Sequence, residues 1–197
     1  MEKKKINVLL IGDSIRMNYQ KQVIKLLGTD YCVFGSEDNG RFAKFTLADL
    51  RRMVELFGKT PDIIHWNNGL WDCAVSFKED GLFTPLEEYR RDLSRILREV
   101  RKITPNVIFA TTTPVRPENH NHDNKTIHQY NRAAIEVMSE SNVVINDLNA
   151  LVSENISEYI CEDTVHLSEQ GITVCARKVA ECIRLLAESR SLNGQIG

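Results

Sequence analysis

Five short apolar runs recur along the chain, each parted from the next by a stretch with helical spacing. They are INVLLIG (6–12), DYCVFG (30–35), PDIIHWN (61–67), NVIFATTTP (106–114) and NVVIND (142–147). The first is continuously apolar rather than alternating, as expected of a strand covered on both faces. Between them lie helical patterns at 14–28, 46–58, 85–104 and 124–141, and a last one at 167–189. Leu47, Leu50, Met53, Val54 and Phe57 show the spacing, Gly28 and Gly58 close two helices, and Pro85 opens a third. Strands that alternate with helices predict an α/β fold with a parallel sheet and helices on both faces. The 197 residues fit one domain, expected over 1–190 with a frayed tail at 191–197. A domain of that size buries about 70% of its unfolded surface without disulfide or metal.

Charge excludes several functions. Twenty-five basic and 27 acidic residues leave a net charge of −2, which offers no footprint for nucleic acid. No apolar run approaches the ~20 residues of a membrane span. The N-terminal MEKKKINVLLIG has an apolar stretch too short for a signal peptide, and cleavage there would remove the first strand. Five cysteines, an odd number without framework spacing, read as reduced, mostly buried thiols and a cytoplasmic setting.

Ligands of such sheets bind beyond the carboxyl ends of the strands. The first strand ends in Gly12-Asp13-Ser14, the second leads into GSEDNGR, the third into NNGLWD and the fourth into TTTPVRPENHNHDN. Before the last helix comes EDTVHLSEQG. Reactive side chains thus gather on one edge. Ser14 has two readings: a helix cap, or a nucleophile. A nucleophilic serine needs a base oriented by a carboxylate, and Asp163-Thr164-Val165-His166 supplies both within one turn. Oxyanion donors are the Gly40 N–H and the amide of Asn67 or Asn68, with the helix dipole at Ser14 adding to them.

The blocks IGDS, DNGR, NNGLWD and DTVH, in that order, resemble the SGNH (GDSL) hydrolase superfamily, in its esterase and acetylesterase branch. The resemblance covers the chain to about residue 188. It implies a three-layer flavodoxin-like fold with strand order 2-1-3-4-5 and an ester-hydrolysing site. Ser14 then matches the nucleophile and first oxyanion donor, His166 the base and Asp163 its orienting acid. Gly40 matches the glycine donor, with Gly35 as the alternative. Trp71 stands where the family commonly has its oxyanion asparagine, and the N-x-G-L-H/W-D variant of the block favours Asn67.

Other chemistries fit less well. Arg16 occupies the second glycine of a G-x-S-x-G elbow, and nucleotide-binding glycine motifs are missing. His120-x-His122 is short of the three or four ligands of a zinc site. His65 reads as a sheet histidine and His128 as a helix-surface one. The alternatives are a binding module using the same cleft, or a metal-dependent phosphoesterase using Asp13, Asp72, Asp163 and His166. The expectation is a serine esterase without metal or cofactor, acting on a small-molecule ester. Polar strand-end loops argue for a short acyl group, acetyl above all, on a carbohydrate. Trp71 would stack on the sugar, while Arg41, Arg116 and Asp13 are further candidates for substrate contact. The segment CAVSFKEDGLF (73–83) is the one candidate lid.

Overall fold

The computed structural model describes residues 4–192. Its centre is a five-stranded parallel sheet of order β2-β1-β3-β4-β5, built from β1 (Ile6–Ile11), β2 (Tyr31–Gly35), β3 (Ile63–Trp66), β4 (Val107–Ala110) and β5 (Val144–Asn146). Val8 to Ile11, Ile63, Ile64, Trp66 and Ile108 to Ala110 are wholly buried, so the sheet's middle is covered on both faces. The registers pair Leu9 with Phe34 on one side and with Ile64 on the other. The helices α1 (Ser14–Leu27) and α7 (Glu169–Leu192) pack together as one layer. A second row is α2 (Ala43–Phe57), α3 (Leu86–Ile103) and α4 (Asn124–Ser139). Two short helices, α5 (Leu148–Ser153) and α6 (Ile156–Tyr159), lead into the segment before α7.

Several boundaries differ from those read in the sequence. Helix α2 begins at Ala43, three residues before the expected Thr46. Phe42 at its cap offers no side-chain acceptor, and the Ala43 N–H is taken by both carboxylate oxygens of Asp72, at 3.2 and 3.0 Å. A carboxylate there also complements the helix dipole. Strand β4 stops at Ala110 because Thr111 and Thr112 turn to bond Asp147, Asn131 and the loop after β3. Helix α7 continues through 191 and 192, expected to be frayed; the rest of that tail lies outside the described residues. All five cysteines are free, but only Cys73 and Cys175 are buried.

The chain moves from β1 outward to β2, then back across to β3. The carboxyl ends of β1 and β3 therefore flank the point where strand order reverses.

Candidate active site

Asp13 ends the β1 turn as the N-cap of α1. Its Oδ1 accepts the Ile15 N–H at 3.0 Å, which leaves Ser14 as the first helical residue. Ser14 Oγ lies 2.9 Å from His166 Nε2, and His166 Nδ1 lies 2.8 Å from Asp163 Oδ2. Asp163 Oδ1 meanwhile accepts the N–H groups of Val165 and His166, at 3.0 and 2.9 Å. Slight burial would raise the Asp163 pKa, but these two N–H groups and the imidazole outweigh it and hold the carboxyl below its usual range. The Asp163–His166 loop is closed from behind by the Cys161 N–H on the His166 carbonyl and by a bridge between Ile160 and Leu167. Leu167 N–H also donates to Asn18 of α1, which ties the Asp163–His166 loop to the helix that begins at Ser14.

The hydroxyl faces a cleft of about 340 Å³. Leu70, Trp71, Ala74 and Val165 supply its apolar wall, and Asn39 and His122 are among its polar groups. Trp71 is 39% exposed there. Of the expected lid segment, Ala74 and Ser76 line the cleft, while Phe77 is 68% exposed.

The two asparagines face different tasks. Asn67 donates one amide hydrogen to Asp13 Oδ1 at 3.1 Å, on the residue before Ser14, and has a second to offer. Asn68 is fully buried; its Oδ1 accepts the Trp66 indole N–H at 2.6 Å and its amide donates to the Arg41 carbonyl at 3.0 Å. Gly12 suits this crowding, because a Cβ on it would come within 1.9 Å of Asn67 Oδ1. The Gly40 N–H is engaged by the Gly12 carbonyl at 3.0 Å. Gly35 sits apart from the cleft lining, against Gln20 and Arg16.

The candidates for substrate contact separate. Asp13 is wholly buried, and that burial raises its pKa against the bonds from Asn67 and Ile15. The Arg41 guanidinium lies over the Phe45 ring at 4.9 Å. Arg116 turns its guanidinium onto the carbonyls of Ile160 and Ser157, at 2.5–2.9 Å, so it braces the Asp163–His166 loop from outside the cleft lining. The carboxylates of the metal reading do not converge: Asp72 caps α2, Asp13 caps α1, and no three metal-ligating side chains meet among the described residues. Asp72 is pushed up to about 7 by burial, against the Thr84 and Ala43 bonds. His65 is buried and driven down to about 3 by desolvation; Nε2 faces the Asn146 amide at 3.1 Å, and Nδ1 has no partner.

Arg16 builds the site although no motif in the sequence marks it for that role. Its side chain is 1% exposed. It donates to the Gly12 carbonyl, to Ser36 and Asp38 carbonyls at 2.5 and 2.8 Å, and to Gln20 Oε1. It thereby clamps the turn before Ser14 to the β2–α2 loop. The signal was present: Arg16, Gln20, Val23 and Leu27 form one i, i+4, i+7, i+11 stripe on the buried face of α1.

The same architecture occurs in solved structures. A lipase/acylhydrolase from Enterococcus faecalis superposes with a TM-score of 0.73 at 18% identity, over 98% of this chain and 97% of that one. The acetylxylan esterase Axe2 from Geobacillus stearothermophilus gives 0.76 at 20%, over 93% and 96%. The acetyl xylan esterase AlAXEase gives 0.75 at 18%, over 90% and 100%. The fold is the one these enzymes share. No protein-family profile matches the chain, and no curated protein matches its sequence.

Proposed function

We propose that this protein is a serine esterase that removes a short acyl group, acetyl above all, from a polar alcohol such as a carbohydrate. One observation carries the reading: the unbroken hydrogen-bonded chain from Ser14 through His166 to Asp163, opening into a cleft. A serine cap would need no imidazole on its hydroxyl. In the proposed reaction, Ser14 Oγ attacks the ester carbonyl carbon while His166 Nε2 takes its proton. Asp163 holds the Nδ1–H and stabilises the imidazolium. The oxyanion is met by the Ser14 N–H at the start of α1 and by the free amide hydrogen of Asn67. The alcohol leaves with the proton from His166. Water, deprotonated by the same nitrogen, then releases the acid and restores Ser14. The steps require neither metal nor cofactor.

The small cleft with its short apolar wall supports a short acyl chain. Trp71, exposed at its rim, is placed to stack on a sugar ring, and two similarly folded enzymes are acetylxylan esterases. A fluorophosphonate tests the nucleophile, since an O–P bond forms at Ser14 as fluoride leaves. Ser14→Ala should abolish labelling and lower turnover by ~10⁴-fold or more. Equal labelling of both proteins would refute the triad. Among p-nitrophenyl esters, kcat/KM should fall from acetate to butyrate and be negligible for octanoate. A rise through octanoate would overturn the short-acyl assignment.

A further inference from the structure

Thr164, between the acid and the base, has φ +73. A β-branched residue in the left-handed region is an outlier that surrounding contacts must hold in place. Two of those contacts come from one loop. The Arg116 N–H donates to the Thr164 carbonyl at 2.9 Å, and the Asn119 amide donates to Thr164 Oγ1 at 2.8 Å. Thr164's own N–H closes a turn on the Cys161 carbonyl at 3.0 Å. The other end of the Asn119 carboxamide is also engaged. Its Oδ1 accepts the N–H groups of Asn121 and His122, at 3.0 and 2.7 Å, and lies 3.1 Å from His122 Nδ1. His122 Nε2 reaches the Leu70 carbonyl at 2.9 Å, and Leu70, Asn121 and His122 all line the cleft.

We infer that Asn119 is a positioning residue, whose carboxamide holds Thr164 left-handed and so sets the Asp163–His166 pair against Ser14, while seating His122 in the cleft wall. The effect on turnover rests on the esterase reading; the effect on the loop does not. Asn119 touches neither the reacting atoms nor the triad side chains. With Thr164 free to relax to negative φ, the peptides that present the Val165 and His166 N–H groups to Asp163 turn away. The imidazole then loses its fixed direction toward Ser14 Oγ. A displacement of about 1 Å at such a site costs on the order of 10²-fold in rate.

The test uses Asn119→Ala, Thr164→Val, which exchanges the accepting hydroxyl for a methyl group, and Thr164→Ser, which keeps the hydroxyl. Two readouts are taken on the full chain: amide hydrogen exchange at Val165 and His166, and kcat, KM and the pH–rate profile with p-nitrophenyl acetate. Asn119→Ala and Thr164→Val should each speed exchange at both amides by ~10-fold or more. They should lower kcat by ~10–100-fold with KM within about threefold, and displace the acid limb of the profile. Thr164→Ser should stay within about threefold of wild type in both readouts. Unchanged exchange in Asn119→Ala overturns the inference, and so does a kcat within threefold of wild type. Equal damage in Thr164→Ser overturns it as well, since the hydroxyl would then be irrelevant. A wild type inactive on every ester refutes the esterase reading, and the exchange data still decide the role of Asn119.

Discussion

Replacing Arg16 with Met tests the clamp beneath the nucleophile turn. The guanidinium has four neutral acceptors and is buried, which lowers its pKa by desolvation. Methionine fills much of the volume but donates nothing. The Gly12 carbonyl keeps the Gly40 N–H, and Asp38's carbonyl is partly solvated. The Ser36 carbonyl and Gln20 Oε1 are buried and lose the Arg16 donor. Each such orphan costs about 1–3 kcal/mol. Against that stands the relief of no longer burying a cation, so the net loss should be about 2–4 kcal/mol. Arg16→Lys keeps the charge but cannot span both loops with one ammonium, and should lose about half as much. Urea unfolding at constant slope measures both. A loss under ~1 kcal/mol for Met, or Lys no better than Met, would refute the clamp. Both variants should also lower kcat, because the β2–α2 loop carries the cleft residue Asn39.

Asn67→Ala should lower kcat by ~10²–10³-fold with normal stability, the loss expected of the proposed oxyanion donor. Asn68→Ala should instead lose about 1–3 kcal/mol of stability by orphaning the Trp66 indole N–H, and the reverse pattern in kinetics and urea titration would sink the assignment. Asp72→Asn should stabilise the protein increasingly as pH rises. Unfolded, Asp72 ionises at the ordinary aspartate value of 3.8; folded, at about 7. The folded state therefore holds the extra proton between those values, and wild-type stability drops relative to the variant across that window. Urea unfolding at pH 4.5 and pH 8 should show a gap that widens at the higher pH; a constant gap would contradict it.

The sheet was readable because its strands are covered on both faces and show as unbroken apolar runs. Ser14, Asp163 and His166 could be singled out because the last two are three residues apart and Ser14 follows directly on the end of the first strand. What escaped was set by residues distant in sequence. The start of α2 depends on a carboxylate 29 positions away, at Asp72, and no local cap announces it. Arg116 reads as a candidate for substrate contact, yet its acceptors are carbonyls more than 40 positions away. Asn119 and His122 sit in a loop without periodicity, so nothing local said which way their side chains turn. Gly40 matches the glycine oxyanion donor by motif, yet its N–H is engaged by the Gly12 carbonyl. The close neighbour that accounts for its missing Cβ is the Gly12 backbone, 2.5 Å from where a Cβ would lie.

Ser14 and His166 are 152 residues apart, joined through the contact between α1 and the segment leading into α7. At 5–20 residues per second, a ribosome presents the serine roughly 8–30 s before its base. During that interval the nascent chain carries an unactivated hydroxyl, and its loop-closure entropy is still to be overcome. On the proposed mechanism hydrolysis would begin only when the last described helix docks beside the first, so the onset of esterase activity during synthesis would be a clock for this long-range step of folding.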